Sequence, residues 1–499
     1  MRAATVVVCV ALLGAAACTG SDSSSGSEST TSTKAAPEPT TPRPAGPAAD
    51  VSTALTGGKG VFMGETATQD LKQAGYVQRE YAATGTATSY KADGALTHDG
   101  RWTFAPDASA PYRTRIVVRA PAKAADFSGN VFVEWLNVSG GVDANPEWAS
   151  VREEIERAGD AWVGVSAQRI GVEGGPVLVK VDVPGAEGAI GKGIKAIDPE
   201  RYGTLEHPGD GYSFDMFTQV ARAVRNGDGM NGLHPKRVIA AGESQSAFAL
   251  VTYFNGVQPL THAFDGFFVH SRGAVGLPLV APGKYADIAG SIAGTSSIFR
   301  TDQTTPVLDI QTETDVTSIL NSYAARQPDR DHFRLWEVAG TAHADAHLIG
   351  ASADLMNCGV PINDGPMHIV AKAAWRALDT WLTAGTAPVV APRLKVTGTT
   401  PAIQRTADGI AIGGIRTPPV DVPVAVLSGT PSPNPSTICL LLGSAVSLSA
   451  ARIAQLYPSR AAYLERYTRR ANATIKAGFA LAQDRRALLG FAEPSRISG

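Results

Sequence analysis

Charge is sparse in this chain. Asp, Glu, Lys and Arg make up 18% of 499 residues, and 44 basic against 46 acidic side chains leave a net charge of -2. No basic block and no sustained acidic run stands out, so nothing points to a nucleic-acid partner. Beyond the first residues no apolar run is long enough to span a bilayer, and no internal repeat is visible. Cysteine is scarce, four in all, and no zinc-type spacing occurs among them. What is plentiful is glycine (52) and proline (32) within a 44% hydrophobic chain. That composition favours a loop-rich globular protein with ample core over a coiled coil or a disordered scaffold.

The N-terminus reads as an export signal. Met1-Arg2 is a minimal positive region, Val6 to Leu13 an apolar stretch, and Ala15-Ala16-Ala17 a small-residue cleavage site. Cys18 follows directly, which resembles a bacterial lipoprotein signal in which that cysteine is acylated. The expectation is a lipid anchor at the outer face of the cell membrane, with ordinary cleavage and secretion as the alternative. Residues 1–17 are then the signal and 18–50, rich in Ser, Thr, Pro, Ala and Gly, a flexible tether that cannot bury enough apolar surface to fold. With Cys9 removed and Cys18 modified, Cys358 and Cys439 remain. In an oxidising compartment they predict one disulfide, two isolated thiols being the alternative.

From about residue 76 strand-like and helix-like segments alternate. "YRTRIVVRAP", "NVFVEWLNV", "AWVGVSA", "KRVIAAG", "FDGFFVHS", "TPVLDIQTE" and "HFRLWEVAG" read as strands. "NPEWASVREEIERAGD", "YSFDMFTQVARAVRNGDG", "SAFALVTYFNG" and "GPMHIVAKAAWRALDTWLTAG" read as helices with identifiable starts and stops. This order implies an α/β fold with a mostly parallel sheet covered on both faces, spanning 51–385. Residues 386–499, with short Pro-punctuated strands and a helical tail from Ser449 to about Phe491, are expected to form a covering subdomain on the same core. Ligands in such sheets bind beyond the carboxyl ends of the strands. The segments Gln168 to Gly211 and Arg272 to Asp302 leave strand ends and are expected to roof the pocket as lid insertions.

Three strand ends carry chemistry. The frame G-E-S-Q-S puts Ser244 at a strand-to-helix turn, where a nucleophile elbow needs small residues at -2 and +2; Gly242 and Ser246 supply them. The next strand ends carry Glu313 and Asp315 in "TETD", then His343 in "GTAH". A serine hydroxyl needs a base to remove its proton, and the base needs a carboxylate to fix its tautomer. The order Ser, acid, His therefore reads as a triad of Ser244, Asp315 and His343, with Glu313 as the alternative acid. Gln245 N–H, opening the following helix, and Val138 or Ser139 N–H in "LNVSGG" are the expected oxyanion donors. The chemistry needs neither metal nor organic cofactor. "HADAH" lacks the glutamate of a hydrolytic zinc motif, since Ala344 stands there. The Asn137-Val138-Ser139 sequon is read as chance.

Together "VEWLNVSGG", "VGVSAQ", "DGYSFD", "AAGESQSAFAL", "FDGFFVHSRG", "GTAHAD" and "GGIRTPPVDVPV" resemble a family of exported bacterial proteins known as α/β-hydrolase domain proteins. The likeness runs from roughly residue 60 to the end. It implies the α/β-hydrolase fold with Ser244 as nucleophile and His343 as base, and little about substrate. The resulting expectation is a cell-surface serine carboxylesterase acting on a small-molecule or lipid-like ester. A tethered binding protein that keeps the fold without turnover, or a peptidase or acyltransferase on the same triad, are the alternatives.

Overall fold

Period-two alternation along the strands divides one sheet between two cores. In β4 (Asn130–Trp135), Val131, Val133 and Trp135 face one core while Phe132 faces the other. In β5 (Ala161–Val165) the same split sets Val163 against Trp162, and in β6 (Arg237–Glu243) it sets Val238 and Ala240 against Ile239 and Ala241. Both faces are apolar, as a sheet buried on two sides requires. The computed structural model describes residues 44–64, 70–180, 188–398 and 400–498. The expected signal, Cys18 and most of the tether lie outside the described residues.

The remaining strands of this sheet are β1 (Asp50–Ala54), β2 (Tyr76–Ala92), β3 (Phe104–Pro121), β7 (Gly266–His270), β8 (Val307–Thr312) and β9 (Phe333–Val338). Among the described residues the large sheet has the order β1-β2-β3-β5-β4-β6-β7-β8-β9. From β5 to β9 every pairing is parallel, whereas β1, β2 and β3 pair antiparallel at one edge. The sequence reading found only the last part of the long β2–β3 hairpin. β2 fills its buried positions with Ala82, Ala83 and Ala87, and β3 carries Pro106 and Pro111, both weak strand signals. Asp50 opens β1 and Ala49 is already buried in the core, so the fold begins just inside the stretch expected as tether.

Helices α1 (Pro146–Ala158) and α4 (Met367–Ala384) cover one face; α2 (Ser213–Asn226) and α3 (Gln245–Thr252) cover the other. α1 begins with Pro146 at its first turn and stops at Gly159, whose φ of 72° lets its N–H reach back to the carbonyls of Ile155 and Glu156. On α4 the buried Val370, Ala374, Leu378 and Trp381 repeat at helical spacing, and Trp375 stacks on Phe132. Truncating a side chain such as Trp375 costs about 3–5 kcal/mol in a packed core.

Residues 386–498 belong to the same compact unit as the sheet. Ile415 pairs in parallel with Val338, its N–H donating to Glu337 O (2.7 Å) and its carbonyl accepting from Ala339 N (2.9 Å). The segment "GGIRTP" thereby covers the exposed edge of β9. The helical tail is three helices, Ala450–Leu456, Arg460–Lys476 and Arg485–Gly490, interrupted near Pro458 and Gly478. Cys358 and Cys439 are joined in a disulfide with Cα atoms 5.4 Å apart.

Candidate active site

β6 hands the chain to α3 through a single residue in the left-handed region. Ser244 has φ 60° and ψ -123°, a conformation that costs a non-glycine residue of order 1–3 kcal/mol. Its N–H donates to His270 O at 2.9 Å, so the end of β7 holds the turn. The turn is tight enough that a Cβ on Gly242 would lie 3.0 Å from Ser246 Cβ. A side chain at -2 would thus crowd the start of α3, while Ser246 fits at +2 and is fully buried.

The strained turn points the Ser244 hydroxyl at a histidine. His343 Nε2 lies 2.8 Å from Ser244 Oγ, and its Nδ1 lies 2.6 Å from Asp315 Oδ1. The second oxygen of Asp315 accepts from Thr312 N (2.6 Å), Thr312 Oγ1 (2.7 Å) and Ser271 Oγ (2.7 Å). Burial pushes the Asp315 carboxyl up, but the His343 charge and the bonds from His343 and Thr312 outweigh it and hold the group below its ordinary 3.8. It can therefore orient a proton-accepting imidazole while remaining ionised. Ser271 was not foreseen, although it follows β7 directly and the strand-end rule would have found it.

Glu313 is engaged elsewhere. Its carboxylate accepts from Gly340 N (2.6 Å), Gly429 N (3.1 Å) and Arg405 Nη2 (2.6 Å). Of the two candidate acids, the one that reaches His343 is Asp315.

The two candidate main-chain donors after β4, Val138 and Ser139, each hold a side-chain partner. Val138 N donates to Gln245 Oε1 (3.2 Å) and Ser139 N to Asn137 Oδ1 (2.8 Å). Asn137 in turn donates to Glu243 O (3.0 Å), and the Gln245 amide donates to Gln168 Oε1, which also accepts from Trp135 Nε1 (3.0 Å). A loop this buried must satisfy its polar groups, and neighbouring side chains do so. Gln245 N stands at the first position of α3, where no intrahelical acceptor exists. Ser139 O accepts from Leu178 N and Val179 N, docking the segment after β5 onto this loop.

Ser244 and His343 open into a cavity of about 370 Å³. Val179 and Ile190 reach it from the segment expected as the first lid. No described residue of 272–302 lines it; Arg272 instead bonds Asp309 and Phe299 packs in the core. His207 is buried against Ala167 O, and His347 stacks on His368 with ring centroids 3.7 Å apart.

Behind the elbow lies a group of buried ionisable side chains. Glu134, in the middle of β4, accepts from Glu147 N, Trp148 N and Trp162 Nε1, capping the start of α1. His270 Nδ1 lies 3.4 Å from Glu147 and 3.8 Å from Glu243. Burial raises the carboxyls of Glu134, Glu147 and Glu243 well above their ordinary 4.5, and lifts Asp345 to about 7.

A family model described as alpha/beta hydrolase domain matches residues 42–490. The chain belongs to this family. Comparison with curated proteins gives no match. Among solved structures, the hydrolase is similar to an α/β serine hydrolase without lid from Xanthomonas campestris, at 13% identity over 60% of this chain and 95% of that one, with a TM-score of 0.30. It is similar also to esterases of Rhizomucor miehei (11%, 64% and 93%, TM-score 0.32) and to carboxyl esterase 2 of Tuber melanosporum (10%, 58% and 87%, TM-score 0.28). The assignment of an α/β-hydrolase fold rests on the family match and on the observed sheet.

The raised carboxyl of Glu147 has a measurable consequence. Among the described residues its oxygens find no hydrogen-bond donor, and in the folded protein it holds a proton more tightly than in the unfolded chain. Its contribution to stability is complete below about pH 4.5 and is lost as pH rises toward the folded-state value. Glu147→Gln removes that loss: its urea midpoint should match wild type near pH 4 and exceed it increasingly toward pH 8. A variant curve parallel to wild type would contradict this.

Proposed function

We propose that the protein is a serine hydrolase that cleaves carboxylic esters through an acyl-enzyme. The observation that carries this reading is the Ser244–His343–Asp315 chain of hydrogen bonds at the mouth of an apolar cavity. Ser244 Oγ attacks the ester carbonyl as its proton passes to His343 Nε2. The tetrahedral adduct collapses, and the alkoxide leaves with that proton as an alcohol. Water then repeats the sequence on the acyl-serine and releases the acid.

The oxyanion binds Gln245 N–H, which opens α3. Val138 N–H is the better second donor. Its bond to the neutral Gln245 amide, at 3.2 Å, is at the long end for N–H···O, and an oxyanion competes for it with a charge-assisted bond roughly twice as strong. Ser139 N–H, held at 2.8 Å by Asn137, gives way less easily.

The expected outcome of Ser244→Ala is loss of fluorophosphonate labelling and a fall of roughly a million-fold in kcat on short p-nitrophenyl esters. Retained labelling would end the assignment. Asp315→Asn should cut kcat by about 10⁴-fold, whereas Glu313→Gln should act on thermal stability first, because it weakens the contacts to Arg405 and Gly429. Equal kinetic losses in the two variants would reverse the choice of acid.

The reading extends to location. We place the enzyme at the outer face of the cell membrane through acylated Cys18, supported by the apolar stretch and small residues before it. Mass spectrometry of the mature N-terminus should find a lipid-modified Cys18; a free, unacylated N-terminus there would make the protein secreted.

A further inference from the structure

The cavity at Ser244 is built by parts of the chain far apart in sequence. Val142 comes from the loop after β4 and Leu348 and Ile349 from the turn after His343. Ile438 and Leu441 come from helix α5 (Thr437–Leu441) in the C-terminal region. The last two contributions are clamped together. Ala344 N, next to His343, donates to Leu441 O at 3.2 Å, and Asn363 N donates to Leu442 O at 3.1 Å. The Cys358–Cys439 disulfide joins the same two segments, and Ala344, Cys358, Ile438, Cys439 and Leu442 form one buried apolar cluster. The wall and the histidine loop are thus a single packed body.

The lining also restricts what can enter. Its described ionisable side chains are His343 and Glu243, and Glu243 is buried beside His270. Among the described residues no lysine or arginine lines the cavity to receive a carboxylate on the substrate. At about 370 Å³ the cavity lies at the small end of the range of about 300–1,000 Å³ for small-molecule sites, which suits a ligand of modest size.

We infer that α5 and the turn after His343, locked by Cys358–Cys439, form the acyl-binding wall of this site and select uncharged, medium-length acyl chains. The inference rests on the proposed hydrolase reading for the word acyl; the pocket and its preference stand on the lining itself. An apolar pocket discriminates chain length by about tenfold or more for each methylene that fits or fails to fit. Branched or aromatic groups of the same volume meet the same walls.

Binding separates this inference from the chemistry. Full-length protein is titrated calorimetrically with octanamide, acetamide and the octanoate anion. Octanamide should bind at least about tenfold more tightly than either of the others. Ile438→Trp, which fills the wall, should weaken octanamide by a similar factor and lower the octanoate-to-acetate ratio in p-nitrophenyl ester hydrolysis. If that variant melts early, Ile438→Ala serves instead and should shift the preference from octanamide toward decanamide. Replacing both cysteines by serine should flatten the chain-length profile. Octanoate binding as tightly as octanamide, or Ile438 variants with an unchanged profile, would overturn the inference. Failure of the hydrolase reading looks different: Ser244→Ala would label and turn over like wild type, with octanamide binding intact in both.

Discussion

One backbone conformation organises this protein. Ser244 sits in the left-handed region at the junction of β6 and α3, and a serine stays there only if its surroundings over-determine it. They do so from three sides. The parallel pairing of β6 with β4 and β7 fixes where the strand ends, His270 O takes the Ser244 N–H, and Gly242 lets the start of α3 close over the strand. The strain is of order 1–3 kcal/mol, comparable to the burial of one large side chain, and the two cores flanking the sheet bury many. The sheet can therefore hold a reactive geometry without losing its fold.

The same sheet solves the problem of bringing three distant residues together. Parallel strands all end on one edge, so residues 244, 315 and 343 meet because each follows the carboxyl end of a neighbouring strand or of the strand beyond it. Only the last few ångströms depend on side chains, and there Asp315 is the most heavily braced group, with Thr312 and Ser271 fixing the oxygen that His343 does not use. The stacking of functions two residues apart is instructive. Glu313 and Asp315 lie on one turn of chain, yet Asp315 turns inward to the histidine while Glu313 ties Arg405 and Gly429 to the core.

Much of this was legible in the sequence because it is local. Strand-end positions, the G-E-S-Q-S turn and the order of serine, acid and histidine all follow from patterns of a few residues. What escaped depends on contacts between remote segments. Nothing near Val138 signals that Gln245 and Gln168 satisfy its loop, and nothing near Ile438 says that it lines the same cavity as Ser244. The β2–β3 hairpin escaped for another reason: alanines and prolines occupy places where valine or isoleucine would announce a strand. Glu134 was a readable clue. A carboxylate inside "NVFVEWLNV", in a sheet covered on both faces, has to find donors, and the start of α1 with Trp162 supplies three.

The C-terminal region looks like an appendage in sequence, after a complete α/β core, but its contacts make it part of the site. Ile415 closes the edge of β9, the strand that delivers His343, and Arg405 pairs with the Glu313 carboxylate two residues from Asp315. Ala344 hydrogen bonds to Leu441, so the residue next to the histidine is held by the tail of the chain. A core lacking residues 386–498 would lose the Arg405 and Gly429 contacts to Glu313 and would leave His343 on a loop with one side unpacked. Ser244, His343 and Asp315 could still be drawn on such a core, but the hydrogen-bonded geometry that joins them would have lost part of its support. The region beyond residue 385 thus covers the sheet and also walls and braces the cavity at Ser244 and His343.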